Sequence, residues 1–271
     1  MPELPEVETV RRQLSDYLPL TIMSVKLGIH GDSLVEKKEF QPKGKTITAF
    51  HRHGKMLQFI FDDFMILSHF GMTGGWRIAK EPSKEKHLHV EFKVTNPNQE
   101  TLYLGYVDYR RFGVMYWIKK ENLHLHMKNL GVDIASSEFT LEYLTKAIKK
   151  YPERALKVTL LDQKLFAGCG NYIACEICAR AFMRPTRKCK KIKKDEFKKI
   201  HEAVKVVLDG SINTQGNTFS GGYVDANGEE GAGVQNLVVF WQKVCRMCNK
   251  TEVKKIFLAA RGTYYCPKCQ K

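Results

Sequence analysis

The sequence predicts an α+β chain: an N-terminal helix, a β-sandwich, a helical middle and a hairpin held by four cysteines. Three observations carry this prediction. Between residues 21 and 120 lie seven short runs rich in β-branched and aromatic residues, separated by turn signals rather than helices, a pattern of sandwiches or barrels. From about residue 131 the apolar spacing becomes helical. Near the C-terminus, Cys245-Arg-Met-Cys248 and Cys266-Pro-Lys-Cys269 stand 17 residues apart, within the range of four-cysteine zinc ribbons.

In chain order, Val7, Val10, Leu14 and Leu18 recur at helical spacing, with Arg11, Arg12, Gln13 and Asp16 on the opposite face. Pro5 is tolerated at a helix start, Glu6 and Glu8 complement the dipole there, and Pro19 closes the helix. Strands are predicted over 21–29, 46–51, 56–61, 65–70, 87–94, 101–107 and 113–118. Pro42-Lys43-Gly44, Asp62-Asp63, Gly74-Gly75 and Asn96-Pro97-Asn98 read as turns between them. Helices are predicted over 139–151, 153–162, 170–182 and 194–208, followed by a Gly-, Ser- and Asn-rich loop over 211–236 that reads as mobile or lid-like. A β-type segment over 237–269 carries the cysteine pairs. The expected domains are 1–130 (β-rich), 131–236 (helical) and 237–271 (zinc hairpin).

The 44 Lys and Arg exceed the 29 Asp and Glu, and the excess is uneven. Residues 1–130 hold 19 basic and 15 acidic residues, and residues 131–271 hold 25 and 14. A polyanion bound mainly through the second half is the expected partner. No apolar run reaches the ~20 residues of a membrane span, and the N-terminus lacks the regions of a secretory signal. An intracellular monomer with no membrane association is expected.

Thiolate softness and tetrahedral geometry make structural zinc the expected ion for Cys245, Cys248, Cys266 and Cys269, with no position left open for catalysis. Its role would be to order a hairpin carrying Arg261, Gly262 and Thr263. Cys175 and Cys178 share the Cys-x-x-Cys spacing but lie in an apolar helical stretch with Ile173 and Ile177, where core packing is the better reading. Cys169 and Cys189 receive no role.

At the other end, removal of Met1 would leave Pro2 with a free secondary amine. Such an amine titrates near ~8, against ~10.4 for lysine, so far more of it is neutral and nucleophilic at pH 7. Glu3 beside it could move the protons such chemistry needs. The plainer alternative is that Pro2 and Pro5 merely stiffen a helix entry.

The stretch MPELPEVETVRR resembles the start of the Fpg/Nei family of bifunctional DNA glycosylases. Leu160-Leu-Asp-Gln-Lys-Leu-Phe-Ala-Gly-Cys-Gly-Asn-Tyr172 resembles the same family's helix–two-turns–helix element. His53-Gly54-Lys55, His69-Phe-Gly-Met72, Arg110-Arg-Phe-Gly113 and the cysteine hairpin follow in family order, so the likeness covers nearly the whole chain. It implies excision of oxidised bases from damaged duplex DNA, with single-stranded DNA left open as a further partner. Pro2 would attack C1′, Glu3 would shuttle protons, and the Schiff base would allow β- and δ-elimination. Glu6 would lie near the site, and Lys55, Asn171 and Arg261 would hold phosphates. Lys157 falls where the family places a phosphate-contacting lysine, although Val158 replaces the proline that often follows it. Met72, Arg110 and Phe112 would fill the gap left by an extruded nucleotide; without the resemblance, Met72 and Phe112 read as core.

The lesion is the finest expectation. The N-terminus resembles the Fpg branch, which favours oxidised purines, whereas Gly170-Asn-Tyr172 with Glu176-Ile177 resembles the Nei branch. A mobile 211–236 loop, glycine-bearing at 216, 221, 222, 228, 231 and 233, should discriminate weakly and favour lesions that already stack poorly. The sequence therefore leans toward oxidised pyrimidines and hydantoins, with an Fpg-type purine glycosylase as the alternative. A non-enzymatic zinc-ribbon DNA-binding protein is the alternative of another class.

Overall fold

The computed structural model describes residues 2–35, 40–220 and 222–271. Met1, whose removal the sequence reading invokes, and Gly221 of the expected loop lie outside the described residues. The chain divides into two compact units. One comprises residues 1–128 and 214–232, the other 129–213 and 233–271. The expected boundary at 236 is thus displaced: residues 214–232, assigned from sequence to the helical part, cluster with the β-rich unit.

The first unit begins with α1 (Leu4–Ser15), which carries Pro5 in its first turn. Val7, Val10 and Leu14 are fully buried, as their spacing predicts. The helix ends at Ser15, four residues before Pro19, and Leu18 packs beyond it as a partly buried residue.

Nine strands follow among the described residues: β1 (Leu20–Leu27), β2 (Thr46–Ile47), β3 (Ala49–His53), β4 (Met56–Ile60), β5 (Phe64–His69), β6 (Gly75–Ala79), β7 (Leu88–Thr95), β8 (Thr101–Val107) and β9 (Val114–Lys119). They form two antiparallel sheets, ordered β2-β1-β7-β8-β6 and β3-β4-β5-β9. A short helix, α2 (Gly31–Leu34), interrupts the run after β1, and α3 (Leu123–Met127) follows β9. Sequence reading missed β6 because Gly74-Gly75 resembles a turn; Gly75 is instead the first residue of the strand and pairs with Val107. No added Cβ fits at Gly74, where it would meet the Tyr106 hydroxyl at 2.1 Å.

An aromatic cluster lies between the sheets. The Trp76 ring centroid lies 4.7 Å from Phe59, 5.3 Å from Tyr106 and 5.6 Å from Phe92. The Trp76 indole N–H donates to Ser68 Oγ at 2.9 Å, so burial leaves no indole donor unmet.

The second unit contains α4 (Leu141–Lys149), α5 (Leu156–Leu160), α6 (Asn171–Arg180) and α7 (Glu196–Ile212). A short parallel pair, β10 (Val132–Asp133) and β11 (Phe166–Ala167), joins its start to the turn before α6. Thr140 caps α4 by accepting from the Tyr143 amide. α5 is shorter than the expected 153–162 because 152–155 is used instead to pair with 187–190: Leu156 N–H donates to Arg187 O and Cys189 N–H to Arg154 O. The unit closes with the antiparallel hairpin β12 (Lys254–Leu258) and β13 (Arg261–Tyr265). No described helix is long and apolar enough to cross a membrane.

Candidate active site and nucleic-acid interface

In the first unit, Pro2 is buried at the entry to α1, followed by Glu3 and Glu6 at 2% and 1% exposure. Glu6 Oε2 accepts from the Glu3 amide at 2.7 Å in a capping box, which fixes the backbone beside Pro2. The other Glu6 oxygen accepts from the Asn217 amide at 2.8 Å and from its Nδ2 at 3.2 Å. One carboxylate therefore joins the N-terminal turn to the distant 214–232 segment.

That segment is anchored at Asn217 and over Tyr223–Ala226. Tyr223 and Ala226 belong to the sandwich core. Asp225 accepts from Gln13 Nε2 at 2.5 Å, and Gln13 Oε1 accepts from the Ala226 amide. Ile78 N–H donates to Ala226 O, extending β6, and Asn217 bridges Ala232 across the base. The expectation of a mobile, lid-like loop is not what the packing suggests, because Gly216 and Gly231 permit close contacts, although Gly228 faces open space. A Cβ at Gly216 (φ +86°) would meet Tyr223 at 2.9 Å and Glu6 at 3.0 Å, and one at Gly231 would meet Gly216 O at 2.4 Å. One buried polar atom near Glu6, Asn217 Oδ1, has no hydrogen-bond partner among the described residues.

Lys55 occupies the two-residue turn between β3 and β4, after Gly54 at φ +58°. Arg52 holds this turn: its NH1 donates to Gly54 O and its Nε to Glu8 Oε2, each at 3.0 Å. Glu8 also accepts from Arg11 and Arg12. Burial opposes its charge, but the guanidinium hydrogen bonds and charges of Arg11, Arg12 and Arg52 win and hold its pKa at about 2. Sequence reading missed this role. The Arg11 and Arg12 spacings were visible, but the Arg52 contact spans 44 residues.

His69 ends β5 opposite Met56. Burial, and then the Lys55 charge, lower its pKa. Its Nδ1 accepts from Gly71 N–H at 3.2 Å, which leaves the proton on Nε2.

The turn carrying Met72 and the loop carrying Arg110 and Phe112 share one buried anchor. Asp108 accepts from Thr73 Oγ1 at 2.6 Å, from Gly113 N–H at 2.8 Å and from Arg110 N–H at 3.2 Å. Thr73 Oγ1 also accepts from Arg110 N–H. Phe112 is 54% exposed, with the Arg110 guanidinium 4.9 Å from its ring centroid, and Met72 is half-buried. The core reading of Met72 and Phe112 therefore fails, and Asp108 is a residue no local signal identified.

In the second unit, Lys157 is fully buried. Its Nζ donates to Asn171 Oδ1 at 2.6 Å and to Thr263 Oγ1 at 2.7 Å. Asn171 Nδ2 donates to Gly262 O at 2.9 Å. The amine that the family likeness places at a phosphate joins the start of α6 to the β12–β13 hairpin. Arg261 is exposed where β13 begins. The two preceding turn residues, Ala259 and Ala260, have φ of +49° and +56°.

The Cys245, Cys248, Cys266 and Cys269 thiols lie within 4.8 Å of one another, and this all-thiolate set fits a structural zinc ion. Gln270 secures the knuckle: its Oε1 accepts from the Cys266 amide and its Nε2 donates to Met183 O, both at 2.7 Å. Cys169, Cys175, Cys178 and Cys189 are buried in the core, as expected for Cys175 and Cys178.

A helix-led β-sandwich followed by helices and a four-cysteine hairpin defines the fold of a class of DNA base-excision proteins. Residues 1–115 match the family model for the formamidopyrimidine-DNA glycosylase N-terminal domain, and residues 130–221 match that for its H2TH domain. Formamidopyrimidine-DNA glycosylases of Shouchella clausii and Bacillus subtilis are each 37% identical, over all of this chain and 99% of theirs. The chain belongs to the formamidopyrimidine-DNA glycosylase family, which acts in base excision repair. Among solved structures, MutM in complex with DNA containing carbocyclic 8-oxo-G aligns over both whole chains with a TM-score of 0.87 at 29% identity. Lactococcus lactis Fpg in complex with abasic-site DNA aligns equally fully, at 0.87 and 30%. These relatives fit the Fpg-type alternative better than the lean toward oxidised pyrimidines and hydantoins.

Proposed function

We propose that this protein is a DNA glycosylase and abasic-site lyase that removes oxidised and ring-opened purines, with Pro2 as nucleophile. The observation that carries this reading is the buried Pro2–Glu3–Glu6 turn, locked to Asn217 of the anchored 214–232 segment. A rigid wall beside the nucleophile suits a size-selective pocket for one purine. Asn217 Oδ1 offers a buried acceptor that packing has left unpaired.

With Met1 removed, the Pro2 nitrogen lone pair forms a bond to C1′ of the damaged nucleotide, and the C1′–N bond electrons leave with the base. The Pro2 nitrogen gives up its proton to solvent, the C1′–O4′ bond opens as Glu3 protonates O4′, and the iminium so formed acidifies the C2′ proton. Loss of that proton expels the 3′ phosphate by β-elimination. Loss of a C4′ proton then expels the 5′ phosphate by δ-elimination, and water frees Pro2 from the remnant. Lys55, Asn171 and Arg261 hold phosphates in this scheme, Lys157 positions Asn171, and Met72, Arg110 and Phe112 occupy the vacated stack.

The test is borohydride trapping on a duplex carrying 8-oxoguanine opposite cytosine. Enzyme with a free Pro2 should form a covalent adduct, and enzyme with Pro2 acetylated should bind without forming it. An undiminished adduct would move the nucleophile to a lysine, and no adduct from either form would leave a non-enzymatic DNA binder. Single-turnover rates should be faster on 8-oxoguanine or a formamidopyrimidine than on thymine glycol.

A further inference from the structure

The proposed chemistry leaves unused a dense basic run in the second unit. Between residues 184 and 199 stand nine Lys and Arg against Asp195 and Glu196. Folding brings a second group beside it, because α4, with Lys146, Lys149 and Lys150, packs on the 189–191 turn and on α7. Lys149 Nζ lies 5.7 Å from the Phe197 ring at the start of α7.

The surface is neutralised selectively. Glu153 accepts from Lys188 and Lys190, at 2.9 and 2.7 Å, and Glu196 from Arg187 at 2.7 Å. Those pairs brace the strand-like segment 185–188 that lies along the start of α5. Lys146, Lys149, Lys191, Lys193, Lys194 and Lys199 are exposed, and no carboxylate is within ion-pairing distance of them among the described residues. Exposed cations on elements that pack together cost self-repulsion that a bound polyanion would relieve.

The basic run is also tied by backbone to the element that carries Asn171. Pro185 O accepts from the Lys157 amide and Arg187 O from the Leu156 amide, and Lys157 in turn holds Asn171. The same backbone pairing thus supports Asn171 at one end and launches the basic run at the other.

We infer that this face of α4, the 189–194 segment and the start of α7 is an auxiliary surface for the phosphate backbone of duplex DNA outside the lesion. It rests on the glycosylase reading, and its role is non-specific capture rather than chemistry.

The test uses full-length, zinc-loaded protein and an undamaged 40-base-pair duplex. Replacing Lys149, Lys191, Lys193 and Lys194 by Ser should lower the slope of log affinity against log salt by about 2–4, since each lost phosphate contact removes about 0.9. Affinity at 0.15 M salt should fall on the order of 10- to 100-fold. The corresponding four Arg replacements should retain the parent slope. The single-turnover rate on lesion duplex at saturating enzyme should not change. Equal slopes for parent and Ser variant overturn the surface while leaving the glycosylase reading intact. Loss of binding to single-stranded RNA or to anionic vesicles with the duplex slope unchanged also overturns it. A parent that binds undamaged duplex through these lysines but never forms a borohydride adduct would sink the glycosylase reading and keep the surface.

Discussion

Two buried glutamates, one in each unit, are stabilised by opposite means. Glu8 lies among three guanidinium groups, which hold its carboxyl at about 2. Glu176, on α6, is fully buried and accepts from three consecutive backbone amides: Val238 at 2.8 Å, Val239 at 2.9 Å and Phe240 at 2.8 Å. Burial pushes its pKa up, and the three amides pull it back only in part. Each carboxyl supports a proposed phosphate-holding group. Glu8 acts through Arg52 on the Lys55 turn, whereas Glu176 sits on the helix that Asn171 begins. Phe240, in the segment it holds, packs on Tyr264 of β13 at 4.9 Å. Side-chain charges at the edge of a sandwich make an anchor sensitive to pH; backbone dipoles in a helical core make one sensitive to shape.

The largest test of this contrast is zinc removal. Chelation should disorder the hairpin and the 238–240 segment that packs on it, abolishing duplex binding while the sandwich and the Glu8 cluster remain folded. Hydrogen exchange before and after verified metal loss measures this directly. Protection lost equally in β3 and β4 would show that the two anchors are not independent.

Glu176→Ala should cost about 3–5 kcal/mol, because three buried amides lose the carboxylate they donate to at once. Glu176→Gln should recover only part of this, since its NH2 must face one of those donors. Denaturant unfolding of both variants checks the order. Glu8→Gln should cost less, about 1–2 kcal/mol, because Arg12 and part of Arg11 reach solvent.

Glu8→Gln should also change the acid limb of stability. Its folded pKa is depressed from 4.5 to about 2, so its contribution is full above about 4.5 and is lost as pH falls toward 2. Glu176 has the opposite sign: with a raised folded pKa, its contribution is full below 4.5 and fades as pH rises through the folded value. Unfolding free energies between pH 2 and 5 should therefore fall less steeply for Glu8→Gln than for the parent. Parallel curves would mean that the three arginines do not set the Glu8 charge.

The smallest expected effect is a gain. Ala260→Gly relieves a left-handed alanine in the hairpin turn and should stabilise the second unit by about 1 kcal/mol. A thermal melt that falls instead would show that the turn is not strained.

The features legible in the sequence were those written in local spacing. The period of α1, the strand runs, the cysteine pairs and the Pro2-Glu3 start are all patterns of a few residues. The hairpin at 53–56 was visible as His53-Gly54-Lys55, but its brace through Arg52 to Glu8 was not, because the partners lie 44 residues apart. Glu176 served only as a branch marker, although its three amide partners make it the best-connected carboxyl of its unit. The 214–232 segment was misjudged for a related reason. Glycine content signals conformational freedom in an isolated chain, whereas here Gly216 and Gly231 permit contacts that any side chain would block. The burial of Lys157 is not legible locally, because nothing near it in sequence foretells Thr263, 106 residues away.

The path of the chain restricts how such an enzyme can be recombined. It leaves the first unit after residue 128, returns for 214–232 and leaves again. A fragment ending at 130 would lose Tyr223 and Ala226 from its core, the Asn217 donors from Glu6 and an acceptor for Ile78. A chimera that exchanges residues 129–271 between relatives would carry the 214–232 insert away from the α1 residues that receive it, Glu6 and Gln13. The inherited block is therefore discontinuous: residues 1–128 and 214–232 must diverge together, while 129–213 and 233–271 form the second exchangeable part.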